Sequence, residues 1–310
     1  MPLPAYVIVS PVRDEAEHLQ RTIDSIAEQR HRPALCVIVD DGSSDDTGAI
    51  AAAAAREHEW IRVVTRAAGA ARGRGAPIVE AFNAGLATVD VAHDFLVKLD
   101  GDLYVPPHYF EWVARVFERV PRAGIVGGVL LMPAGDEWVL DTIGRHTVGG
   151  YAKAYRRACF DEIGGLQPSM GWDGIDEYSA RARGWTIHVV TELAILHYRP
   201  RGARHDWWRA RWDEGKGNAF MGYLPAWVVV RAAYRGVVER PPILGGLVLF
   251  AGWAWARLRR LPRVPDELAR EELRREQRGR LRSLLRGGGG SAQATPLPDG
   301  GPAHWYGNRY

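Results

Sequence analysis

The sequence predicts an α/β fold built on a doubly wound sheet. Short apolar runs recur at Tyr6–Ser10, Leu35–Val39, Ile61–Thr65 and Phe95–Leu99, and helical periodicity fills the gaps between them. A β-α-β-α-β order of this kind folds as a parallel sheet with right-handed crossovers. The acids supply a second observation. Asp40-Asp41 and Asp100-Gly101-Asp102 each follow an apolar run directly. They therefore fall at the carboxyl ends of strands, where open α/β sheets bind ligands.

The elements follow in order. Tyr6–Ser10 reads as the first strand and Pro11-Val12-Arg13-Asp14-Glu15 as a loop. Ala16–Gln29 carries Leu19, Ile23 and Ile26 at helical spacing. Leu35–Val39 is apolar throughout, as a strand buried on both faces should be. Asp40–Thr47 forms a loop that opens an alanine-rich helix to about Glu57, with Ser44 or Asp45 as its N-cap. Ile61–Thr65 is the third strand. A glycine and arginine loop with Arg72 and Arg74 comes next, then a short helix, Ile78–Ala87, carrying Asn83. The fourth strand ends in the paired aspartates.

Beyond it, Pro106–Val120 reads as a helix and Gly124–Leu131 as a glycine-rich strand; residues 133–150 are loop-like. Tyr151–Ile163 is expected to be a helix stopped by Gly164-Gly165. The acidic segment Gly171–Glu177 leads into a helix, Tyr178–Arg183. Residues 186–190 and 194–197 are strand-like.

A chain of 310 residues can bury one large core or two modest ones. Forty basic side chains against 37 acidic ones give a net charge of +3, which makes no case for a nucleic-acid partner. Two cysteines, Cys36 and Cys159, exclude a disulfide framework and fit a reducing compartment. The first strand begins too early for a signal peptide to precede it within this sequence. A cytoplasmic location is expected, peripheral at the membrane.

Two carboxylates as close as Asp100 and Asp102 repel unless a cation relieves them. Mg²⁺ or Mn²⁺ is the natural counter-ion, and either would bring a phosphate with it. Four segments line up on one sheet edge: Pro11–Glu15, Val39–Thr47, Asn83–Leu86 and Leu99–Asp102. In this order they resemble the nucleotide-binding half of family-2 inverting glycosyltransferases, which have the GT-A fold, over about residues 6–200.

The resemblance implies a nucleotide-diphosphate sugar donor and a hydroxyl acceptor, lipid-linked or polysaccharide. Pro11, Arg13 and Glu15 would face the nucleotide, with Arg13 and Asp14 near the family's asparagine. Asp40 or Asp41 would accept the ring N–H of the base, which presents a donor there. Asn83 joins the donor site. Asp100 would contact the ribose, and Asp102 would ligate the metal. The resemblance also gives His197 as a further metal ligand and sets Arg199 at the diphosphate.

An inverting transfer needs a general base on the acceptor. The family's glutamate-aspartate pair is absent here, which leaves Asp173, Asp176 and Glu177 as candidates. Alternative readings are a nucleotidyltransferase acting on a sugar phosphate and a catalytically decayed scaffold that binds carbohydrate or membrane.

The expected division is a glycosyltransferase domain over 1–200, a helical region over 201–286 and a disordered tail over 287–310. The first splits into a nucleotide-sugar half, 1–104, and an acceptor half, 105–200. Arginines crowd 199–286, and Trp207, Trp208 and Trp212 alternate with them. The apolar run Ile243–Ala256 is shorter than the ~20 residues a spanning helix needs. The region reads as membrane-interfacial, facing an anionic surface.

Overall fold

The computed structural model describes residues 2–67, 75–134, 137–140, 147–169, 171–198, 207–238 and 242–286. Arg72, Arg74, Arg199 and the tail from 287 lie outside the described residues. Two compact units are present, one within Met1–Arg201 and one within Gly202–Ala292.

The first unit is a nine-stranded mixed sheet with helices on both faces. Its strands are β1 (Tyr6–Val12), β2 (Leu35–Asp40), β3 (Ile61–Thr65), β4 (Phe95–Leu99), β5 (Leu103–Tyr104), β6 (Ala123–Ala134), β7 (Glu137–Leu140), β8 (Ala152–Arg156) and β9 (Thr186–His197). The order is β3-β2-β1-β4-β8-β6-β9-β5, with β7 on β6. β1 to β4 are parallel where they pair, whereas β8 runs antiparallel between β4 and β6.

The helices are α1 (Leu19–Ala27), α2 (Thr47–Glu57), α3 (Ala76–Leu86), α4 (Tyr109–Arg119), α5 (Arg157–Glu162) and α6 (Trp172–Ala182). Alternate strand residues fill two cores. Tyr6, Ile8, Cys36, Ile38, Phe95 and Val97 pack toward α1, α2 and α4. Val7, Val9, Val37, Val39 and Leu96 pack toward α3, α5 and α6. Both cysteines are buried, and burial pushes each thiol up to about 12, which makes them inert packing groups.

Four local expectations are corrected. Pro11 and Val12 continue β1 rather than forming a loop. The β1–β4 pairing ends at Val9, so Pro11 falls where β1 pairs with β2 alone, a tolerable place for a missing N–H. Tyr151–Ile163 is not one helix: β8 occupies its first half. Ala, Lys and Arg favour helix there, but insertion between β4 and β6 overrides that preference. The loop expected over 133–150 contains β7. The helix expected from Tyr178 starts at Trp172, so the acidic cluster lies inside α6 rather than ahead of it.

The second unit holds α7 (Trp207–Phe220), α8 (Pro225–Val238), α9 (Leu244–Leu258) and α10 (Glu267–Leu285). Asp266 caps α10 by accepting the Ala269 N–H. Among the described residues no helix is long and apolar enough to cross a membrane.

Candidate active site

The loops after β1 and β2 are tied together by side chains. Asp14 takes a left-handed conformation, φ 53°, and its Oδ1 accepts the Ser44 N–H at 2.7 Å. The Asp14 N–H donates to Ser43 Oγ, and the Glu15 N–H to Thr47 Oγ1. Asp45 accepts from the N–H groups of Ala16 and Thr47. The N-cap position of α2 is Asp46, without a side-chain cap bond, so the expected cap by Ser44 or Asp45 is replaced by this tie.

Within that frame Asp40 and Asp41 are both nearly buried. Asp40 Oδ1 accepts the Ser43 N–H at 2.9 Å, and its Oδ2 lies so close to α2 that a Cβ on Gly48 would come within 2.7 Å. Asp41 is paired with Arg66 at 2.7 Å. Arg66 was invisible as a site residue in the sequence, because it follows β3 with no motif around it. Asn83 sits on the exposed face of α3, two turns past the helix start. Its neighbour Gly85 holds α3 against the sheet, since a Cβ there would lie 2.5 Å from a Val39 methyl.

The aspartates after β4 are held by three devices. Thr22 Oγ1 lies 2.8 Å from the carbonyl oxygens of Gly101 and Leu103 and accepts the Leu103 N–H. Gly101 leaves no room for a side chain: its Cβ would be 2.5 Å from Val12 Cγ1 and 3.6 Å from Glu15 Cγ. Lys98, buried on β4, donates to Asp100 and to the Gly150 carbonyl. The Asp100 carboxyl is pushed up by burial and by Asp102, against the pull of Lys98 and His197.

Asp102 faces His197, with Oδ2 and Nε2 3.1 Å apart. The β5–β9 pairing brings them together, because it sets Leu103 opposite His197. This carboxylate and imidazole offer one hard oxygen and one nitrogen. That donor set suits Mn²⁺ or Mg²⁺ sharing its coordination with a diphosphate. Among the described residues no three His, Cys, Asp or Glu side chains converge into a closed metal cage.

The α6 carboxylates separate by environment. Asp176 is buried, ion-paired to Lys153 at 2.9 Å, and accepts the Tyr155 hydroxyl. Glu177 is also buried; it accepts the Val148 N–H at 2.7 Å and pairs with Lys153 and Arg181. Burial pushes both carboxyls upward. Burial also opposes the Lys153 charge, yet Asp176 and Glu177 outweigh it and raise that pKa.

Asp173 is different. It stands exposed in the first turn of α6, and only its carbonyl is held, by Lys153. A Cβ on Gly150 would lie 3.2 Å from the Asp173 Cβ, so Asp173 adjoins the carbonyl that Lys98 grips. The structure thus brings Asp173 beside the Asp100 end of the sheet and withdraws Asp176 and Glu177 into the interior.

A family model described as glycosyltransferase-like family 2 matches residues 2–212. The chain belongs to that family. Its sheet and helices are those of the GT-A glycosyltransferases. Mannosyltransferase PcManGT from Pyrobaculum calidifontis, solved with GDP-Man and Mn²⁺, superposes with a TM-score of 0.55 at 18% identity, over 92% of this chain and 81% of that one. S. aureus TarS 1–349, solved with UDP-GlcNAc, gives 0.59 at 15% identity over 96% and 98%.

Among curated proteins, this chain is 26% identical over 196 residues to undecaprenyl-phosphate 4-deoxy-4-formamido-L-arabinose transferase of Sodalis glossinidius, covering 62% of this chain and 52% of the relative. The chain spans about half the length of the curated relatives it matches.

Proposed function

We propose that this glycosyltransferase moves a sugar from a nucleotide-diphosphate sugar to an acceptor hydroxyl, lipid-linked or on a growing polysaccharide, with inversion. The observation that carries the reading is the Asp102–His197 pair at the strand-end edge, with Asp100 beside Asp102 and its carboxyl held by Lys98. Asp102 and His197 would hold Mg²⁺ or Mn²⁺. Such an ion, when bound, neutralises charge as the diphosphate leaves. The donor nucleotides of the two superposed enzymes and the undecaprenyl phosphate of the curated relatives support the substrate classes.

The protein's own groups have separable tasks. Asp100, aligned by Lys98, binds ribose hydroxyls. Asp40 or Asp41 accepts the base N–H, with Pro11, Arg13 and Glu15 along the same loop. Arg199 is proposed at the diphosphate. Asp173 takes the acceptor's proton. A base must reach the incoming hydroxyl, and Asp176 is buried and engaged by Lys153 and Tyr155, whereas Asp173 is exposed. Attack from the side opposite the leaving diphosphate inverts the anomeric centre. The expected site of action is the cytoplasmic membrane surface.

The test is a donor screen with UDP- and GDP-sugars, with and without Mn²⁺. Metal-dependent release of a nucleoside diphosphate and an inverted product is expected. Release of pyrophosphate, or a product that retains configuration, would refute the reading.

A further inference from the structure

The helices α8 and α9 are turned inside out for a water-facing pair. On α8 the exposed stripe is Val229, Ala233, Tyr234, Val237 and Val238, all apolar. Its arginines point inward: Arg231 and Arg235 pair with Glu214 of α7, at 2.6 and 3.4 Å. On α9 the exposed stripe is Leu244, Leu247, Phe250, Ala251, Trp255 and Leu258. Its buried face is made of Gly245, Gly246, Leu249, Gly252 and Ala256.

Backbones touch where those glycines lie. A Cβ on Gly246 would meet the Ala232 carbonyl oxygen at 2.1 Å, and one on Gly252 the Trp212 carbonyl oxygen at 2.4 Å. Small residues inward and large apolar residues outward is the pattern of helices packed in lipid, where burying apolar bulk between helices gains little. Among the described residues, these large apolar side chains on both helices stand exposed to water.

Charge identifies what lies beside that face. From Pro242 to Pro265 there are four arginines, Arg257, Arg259, Arg260 and Arg263, and no acid. All four are exposed at the carboxyl end of α9. Three of them line a cavity of about 390 Å³ together with Ala219, Ala256 and Leu261. α9 has 15 residues and so measures about 22 Å, short of the ~30 Å hydrocarbon core.

We infer that α8 and α9 form a hairpin that inserts its outward apolar face into one leaflet of an anionic membrane without crossing it, with the Arg257–Arg263 cluster on lipid phosphates. This names the surface on which the proposed transfer takes place. It rests on that reading only for the acceptor's location.

The test is flotation of the full chain with phosphatidylcholine vesicles, with and without phosphatidylglycerol, and with neither donor nor acceptor present. The protein is expected to float with the anionic vesicles. Leu247→Glu combined with Leu258→Glu should reduce the bound fraction at least tenfold while circular dichroism and donor hydrolysis stay unchanged, since both side chains are exposed. Arg257→Gln with Arg259→Gln should remove the preference for anionic vesicles. Equal flotation of the Leu247/Leu258 variant would overturn the inference. So would a wild-type chain that ignores vesicles and sediments as a dimer through this face. Neither result bears on donor turnover, so the two proposals fail separately.

Discussion

Lys98 and Lys153 stand directly opposite each other on β4 and β8, and both are buried. Like charges paired across strands repel. Each lysine is relieved by its own acids: Lys98 turns to Asp100, Lys153 to Asp176 and Glu177 of α6. Lys98 also lies 5.5 Å from the Trp172 ring at the start of α6. Asp100 and α6 therefore hang from neighbouring lysines on adjacent strands, and that geometry fixes the gap between them.

Substituting the two lysines should have different consequences. Lys98→Met frees Asp100, so the donor KM is expected to rise roughly tenfold, the loss of about 1.4 kcal/mol of charge-assisted bonding. Lys153→Met leaves buried Asp176 without a cation and Glu177 with Arg181 alone, and should cost about 3–5 kcal/mol of stability, read by urea denaturation. An unaltered donor KM in Lys98→Met would remove its positioning role.

The α6 acids give a second contrast. Asp173→Asn is expected to lower kcat by about a hundredfold or more, with donor affinity and melting temperature unchanged. Asp176→Asn should act chiefly on stability, through the Lys153 pair. Loss of turnover in a fully stable Asp176→Asn, with Asp173→Asn still active, would reverse the assignment.

His108 makes a pH prediction away from the site. Burial, then Arg30, lowers its pKa from 6.5 to about 4. The unfolded chain binds this proton below 6.5, whereas the folded chain binds it only below about 4. Stability from this group is thus complete above pH 6.5 and lost as pH falls toward 4, by no more than about 3 kcal/mol. His108→Gln should flatten the melting-temperature profile across that window.

Gly101 supplies a packing test. Gly101→Ala forces a methyl against Val12 and should cost about 1–3 kcal/mol, with Val12→Ala restoring much of it in the double variant.

The first four strands were legible because each is an apolar run closed by turn residues or acids. Asp102 and His197 were legible as residue types. Their 3.1 Å meeting was foreshadowed by the family resemblance alone, because it depends on antiparallel pairing of Leu103 with His197, 94 positions apart. β8 was misread because Ala-Lys-Ala-Tyr-Arg has helical composition and its alternation is too short to register. Lys153 and Tyr155 were lost with it. Lys98 left a signal in plain view: a lysine inside Phe-Leu-Val-Lys-Leu must find a carboxylate. The split between Asp173 and Asp176 follows from helix phase, which became visible only when α6 began at Trp172.

Asp102, with His197, is proposed to organise the metal and diphosphate for sugar transfer. The most direct measurement is donor turnover by purified Asp102→Ala across a Mn²⁺ titration, alongside its circular dichroism. A folded protein with turnover lowered about a thousandfold is predicted, a loss of about 4 kcal/mol in transition-state stabilisation. Full Mn²⁺-dependent turnover by the folded variant would exclude Asp102 from that role.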